Sequence, residues 1–277
     1  MKKILVPLDF SEISLHALRY AVQLAKYAGA HLELLHVCHS GELPAIDITS
    51  ELILEKELKE EASAELEKLK RKTLKNHPGL HIGYACVAGI PTEEINRYAS
   101  EHAIDLIILG AQGKGFLEER FLGSTATSVI KHAPAAVLTI PEKLRFRRPK
   151  NMVFAVDFIE TRPQVLKPLK EMARLFGSEI FMLNIVQETV VSPSMKEMIA
   201  AYQLDQALKN IHHTFFYLHR DNIVKGINEF VSDYHMDLVV MIPHSHSFFS
   251  RILKEPVTKQ MAFHSKVPLL TLQSLNK

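Results

Sequence analysis

Apolar residues along this chain fall into two alternating patterns. Residues 3–9, KILVPLD, form a nearly continuous apolar run, as in a strand buried on both faces. Residues 14–29, SLHALRYAVQLAKYAG, place apolar residues at helical spacing, with Ser11 ahead as a capping oxygen and Gly29 as a C-terminal stop. HLELLHV (31–37) predicts a second strand, and 42–79 a long, charged helix. HIGYACV (81–87) predicts a third strand, PTEEINRYASEH (91–102) a helix with proline near its start, and DLIILG (105–110) a fourth strand. A glycine-rich loop, a helix around STATSVIKHA (124–133) and a last strand AAVLTIP (135–141) follow. Strand–helix alternation of this kind implies a parallel, doubly wound sheet with helices on both faces.

The pattern then recurs. KILVPLDFSE (3–12) matches NMVFAVDFIE (151–160) at an offset of 148, which also pairs Gly29 with Gly177 and LELLHV with IFMLNI. Later, DLIILGAQ (105–112) matches DLVVMIPH (237–244) at 132, an offset that holds to VLTI and LLTL. The difference, 148 − 132 = 16, predicts that the second copy lacks sixteen residues in its middle, where the first carries its charged helix. A tandem duplication of a ~140-residue domain accounts for the 277 residues. The expected layout is a domain at 1–142, a linker at 143–150 and a second domain at 151–277. The basic join PEKLRFRRPK (141–150) reads as a solvated linker rather than an anion patch.

Composition narrows the function. A net charge of +2 gives no reason to expect nucleic acid as a partner. No apolar run reaches membrane-span length, and the start does not have the form of a signal peptide, so no membrane association and a cytoplasmic location are expected. The two cysteines, Cys38 and Cys86, match no metal or redox spacing.

Chemistry concentrates at GAQGKGFLEERFLGST (110–125), which holds four of the eleven glycines. Ligands of doubly wound sheets bind beyond the carboxyl ends of the strands. A phosphate cradle needs free backbone N–H groups and no obstructing side chains. Gly123, Ser124 and Thr125 open a helix whose N-terminus favours negative charge. The stretch is neither the dinucleotide-binding nor the Walker pattern. Lys114 reads as a solvated loop lysine.

Gly110-x2-Gly113-x9-Gly123-Ser124 resembles the G-x2-G-x9-G-[S/T] signature of the ATP-binding universal stress proteins. KILVPLDFSE, LLHV, VAGIPTEEI and APAAVLTIP resemble that family too, across the first copy and more weakly the second. The resemblance implies two tandem doubly wound, Rossmann-like α/β domains, with ATP in the first, with or without Mg2+. It implies that Asp9, beside Pro7, accepts hydrogen bonds from the nucleoside and that the backbone at Val37 reads the adenine edge. It also implies that Gly110 and Gly113 approach ribose and phosphates, and that Gly123, Ser124 and Thr125 hold the distal phosphates. Leu109 and Gln112 flank the site. A role as a stress-response sensor or regulator follows, as does an internal pseudo-dimer through the closing strands; a homodimer stays open.

The second copy departs from the pattern. Gly110, Gly113, Gly123 and Ser124 become Ile242, Ser245, Glu255 and Pro256. A carboxylate enters the anion site and proline removes a donor, so this copy is expected to have lost nucleotide binding. Asp157, the counterpart of Asp9, reads as a fold remnant or an adenine-only contact. His244, His246 and His264, even with Glu255 close by, read as polar loop residues rather than metal ligands. IHHTFFYLH (211–219) reads as a strand or helix face near the core. Two other functions remain: a slow ATPase or phosphotransferase, for which no catalytic set can be placed, and a scaffold without nucleotide.

Overall fold

The computed structural model describes residues 1–38, 48–111, 124–159, 161–186, 193–243 and 266–273. They form two compact units.

In the first repeat, whose compact unit ends at Val137 within its last strand, β1 (Lys3–Pro7), α1 (Glu12–Ala28), β2 (His31–Cys38), α2 (Ile48–Asn76), β3 (Ile82–Ala88), α3 (Pro91–Glu101), β4 (Leu106–Ala111), α4 (Ser124–His132) and β5 (Ala136–Pro141) alternate as the hydrophobic pattern requires. The strand order is β3-β2-β1-β4-β5, and the registered pairs are parallel. Ile4, Leu5 and Val6 are fully buried, as a central strand covered on both faces demands. Each such side chain contributes about 1.5–3 kcal/mol. Ser11 caps α1 by accepting from the Ser14 N–H, and Gly29 ends it at φ 60, a left-handed conformation that suits glycine. Pro91 occupies the first position of α3, where its missing N–H costs nothing.

The second unit contains β6 (Asn151–Ala155), a 3-10 turn (Pro163–Leu166), α5 (Lys167–Phe176), β7 (Glu179–Val186), α6 (Met195–Ala207), β8 (His213–His219), α7 (Ile223–Asp233), β9 (Leu238–Met241) and β10 (Leu269–Thr271). Its strand order is β10-β9-β6-β7-β8, again parallel in every registered pair. Within IHHTFFYLH, His213–His219 are thus an edge strand: Phe216 packs on Phe181 and Phe230, while Tyr217 stays exposed.

The strand registers reproduce the duplication. Lys3 pairs with His31 and Asn151 with Glu179, both partners shifted by 148. Ile4 pairs with Leu106 and Met152 with Leu238, which joins the two offsets in one contact. Asp105 accepts from the backbone N–H groups of Lys2 and Lys3, and Asp237 does the same for Lys150 and Asn151. The register also refines the length difference. Leu32 pairs with Ile82 but Ile180 with His213, an offset of 131 for β8. Seventeen residues (148 − 131) are therefore lost before β8, and one is regained between β8 and α7. Most of the loss falls in the charged helix, 29 residues in α2 and 13 in α6.

Candidate nucleotide site

From β1 the chain runs outward through β2 to β3, then returns to place β4 on the other side of β1. The order reverses between β1 and β4, and the carboxyl ends of those strands flank the crevice where ligands of such sheets bind. Pro7 ends β1 and is half-buried. Continuing the β1–β4 register sets it level with Leu109, which is buried. Val37, half-buried, lies two residues beyond Leu35, the partner of Pro7. Gly110 follows on β4, and Ser124 and Thr125 open α4. Pro7, Asp9, Val37, Leu109 and Gly110 thus gather at one end of three adjacent strands. Gln112, Gly113 and Gly123 lie outside the described residues, as does the side chain of Ser124.

Asp9 is exposed, though its carboxyl group is partly covered. Its Oδ1 accepts from the Ser11 N–H at 3.0 Å and the Ser11 hydroxyl at 2.6 Å, an Asx-turn that fixes the entry into α1. Desolvation alone would push this carboxyl up. Hydrogen bonds from Ser11 and Ser14 outweigh it and hold the group below its ordinary range. The remaining acceptor capacity is available to a ligand donor. A depressed folded value contributes stability above the unfolded value, about 3.9, and that stability is lost as pH falls through the folded value. Stability of the wild type relative to Asp9→Ala should therefore be level from about pH 5 upward and shrink toward zero in stronger acid. Denaturant melts across that range test it; a difference independent of pH would refute the charged Asx-turn.

The neighbours of Asp9 have no signature in the amino-acid pattern. Phe10 sits at φ 60, a region that bulky residues avoid, at a cost of order 1–3 kcal/mol. Its half-buried ring stacks on His36, with centroids 4.8 Å apart. His36 Nδ1 donates to the Leu8 carbonyl at 2.7 Å. Ile13, in the first turn of α1, presses on Gly110. A Cβ built there would lie 2.5 Å from Ile13 Cγ2 and 2.6 Å from its carbonyl oxygen. Nothing in the amino-acid pattern signals a left-handed phenylalanine, and Ile13 reads only as the apolar start of a helix.

The corresponding end of the second unit is built differently. Asp157 keeps the Asx-turn, accepting from the Ile159 N–H at 3.0 Å, and Asn184 donates to Val156 where His36 donates to Leu8. Phe158, the counterpart of Phe10, is outside the left-handed region and 2% exposed, packed against Phe215 and Tyr217. Buried Ile242 stands in place of Gly110. The helix corresponding to α1 begins at Lys167, seven residues later than the match to Glu12 would place it. The replacements Ser245, Glu255 and Pro256 lie outside the described residues, as do His244, His246 and His264. Among the described residues no three His, Cys, Asp or Glu gather as metal ligands.

The profile of the universal stress protein family matches residues 1–141 and again 149–273. The chain belongs to the universal stress protein family. Its membership is tandem, with two family domains in one polypeptide. The universal stress proteins MJ0577 and MJ0531 of Methanocaldococcus jannaschii are similar to half of it. MJ0577 is 34% identical over 157 residues, covering 51% of this chain and 96% of that protein. MJ0531 is 37% identical over 147 residues, covering 51% and 84%. The crystal structure of a universal stress protein from Archaeoglobus fulgidus spans 98% of both chains with a TM-score of 0.77. At 18% identity it speaks for the two-domain fold alone. Among the described residues, no helix of this universal stress protein is long and apolar enough to cross a membrane.

Proposed function

We propose that this universal stress protein is a stress-response regulator that binds one ATP, in its first domain, and that the second domain no longer binds a triphosphate. The observation that carries the reading is the backbone of Phe10. A strained phenylalanine beside Asp9 persists in the unit that keeps the glycine loop. In the unit whose loop has lost its glycines, the counterpart Phe158 is relaxed and buried. Strain retained at one of two duplicated positions fits a site still under functional constraint.

On this reading Asp9 accepts from the nucleoside, the backbone at Val37 faces the adenine edge, and Pro7 and Leu109 wall the crevice. Gly110, Gln112 and Gly113 bring backbone close to ribose and phosphates. Gly123, Ser124 and Thr125 present the N-terminus of α4 to the distal phosphates. Any Mg2+ would ride on the phosphates. A sensor needs only a binding equilibrium, because whatever binds the folded state preferentially shifts its population. Titration calorimetry with ATP on the full chain should give a single site per chain. Two equivalent sites, or none, would overturn the proposal.

A further inference from the structure

Cys38 and Cys86 lie 48 positions apart in the sequence, yet their sulfurs are 3.2 Å apart and both thiols are free. Cys38 is the last residue of β2. It pairs with Ala88, while Cys86 pairs with His36, so the two cysteines share one face of the sheet, one pleat apart. That face looks at α2, where Lys70 sits over the Tyr84 ring at 5.4 Å. From α2 comes half-buried Lys59, whose charge acts on both sulfurs. Lys59 is held by Glu55 at 2.9 Å. The second unit has Val186 and Tyr217 at the matching positions, so the pair belongs to the first unit alone.

We propose that Cys38 and Cys86 form a peroxide-sensitive dithiol that closes to an intramolecular disulfide between β2 and β3. A bond of about 2.05 Å requires the sulfurs to approach by about 1.2 Å. Cys38, at a strand end, can supply that movement. Burial, and then the neighbouring sulfur, pushes the Cys86 thiol up to about 12. Cys86 therefore holds its proton, and in the proposed order Cys38 attacks first; either sulfur can donate in the contact between them. Its sulfur bonds to one oxygen of hydrogen peroxide, the O–O bond breaks, and the departing hydroxide takes the Cys38 proton to leave as water. The Cys86 sulfur then attacks the sulfenic sulfur. The S–S bond forms, the S–O bond breaks, and the hydroxyl leaves as water with the Cys86 proton. Two thiols and one peroxide become one disulfide and two waters, with both electrons supplied by the sulfurs. Peroxide is small enough to reach Cys38, which is 6% exposed.

The test treats the full chain with a slight molar excess of hydrogen peroxide, then denatures it in N-ethylmaleimide for mass spectrometry. Expected are loss of both labelled thiols together, a monomer lighter by two hydrogens, linked peptides carrying Cys38 and Cys86, and full recovery with dithiothreitol. In Cys86→Ser, the sulfenic acid on Cys38 should persist and be trapped by dimedone. Two thiols labelled as before peroxide, a sulfinic acid on one cysteine without linked peptides, or a bridge between chains would overturn the proposal. Absence of a dimedone adduct in Cys86→Ser would overturn the order of attack.

Discussion

Replacing Gly123 by glutamate should lower ATP affinity about a hundredfold or more while leaving the domain folded. The substitution copies the second repeat, where Glu255 stands at the matching position. In the proposed site Gly123 directly precedes the N-terminus of α4, which begins at Ser124. A carboxylate there would face the distal phosphates. Two like unit charges ~4 Å apart repel by about 4 kcal/mol at an effective dielectric of 20. Each 1.4 kcal/mol is roughly a tenfold change, so two decades remain even after substantial screening. Because the second repeat accommodates glutamate, the fold itself need not demand glycine here. ATP affinity and ligand-free melting temperature, measured on the same variant, separate the alternatives. Unchanged affinity in a well-folded variant would show that this loop is not the phosphate site. A melting temperature that drops along with affinity would show that the backbone at Gly123 requires glycine.

Gly110→Ala should destabilise the first domain by about 1–3 kcal/mol, the usual range for overpacking. This corresponds to a fall of about 3–10 °C in melting temperature for a domain of this size. The added Cβ would meet Ile13 on both sides of the contact. Cγ2, at 2.5 Å, belongs to a branched side chain with few rotamers, and the carbonyl oxygen, at 2.6 Å, to the first turn of α1. Neither can retreat without lifting the start of α1, and with it the Ser11 cap and the Asp9 turn. The second repeat carries Ile242 at this position and has no α-helical turn at the match to Ile13, its 3-10 turn beginning at Pro163. Thermal melting of Gly110→Ala is the measurement. A melting temperature equal to wild type would show that the first turn of α1 yields freely, and that Gly110 is not fixed by packing.

The elements of both units were legible where periodicity and caps coincide. KILVPLD could only be a strand covered on both faces, and Ile4, Leu5 and Val6 are fully buried. Ser11 and Gly29 mark the two ends of α1 because an unpaired N–H and a left-handed turn each call for a particular side chain. The duplication was legible because two offsets carry whole strands, and the registers of β1, β2 and β4 repeat at those same offsets in β6, β7 and β9. The added residue before α7 was not legible, since one insertion between dissimilar turns leaves no periodic trace.

By itself, then, the sequence determined the alternation of elements, the tandem repeat, the family and the residues that gather at the carboxyl ends of β1, β2 and β4. Those are properties of spacing and residue type, and they survive without knowledge of distance. Only the tertiary structure decided three others. It put Phe10 in a left-handed conformation and its counterpart Phe158 in the core. It pressed Ile13 against Gly110. It brought Cys38 and Cys86 within 3.2 Å. Each depends on how segments far apart in sequence, or the two faces of a turn, are held by surrounding packing. Local pattern fixes which side chains point together along one element, but the distance between two elements is set by everything packed against both.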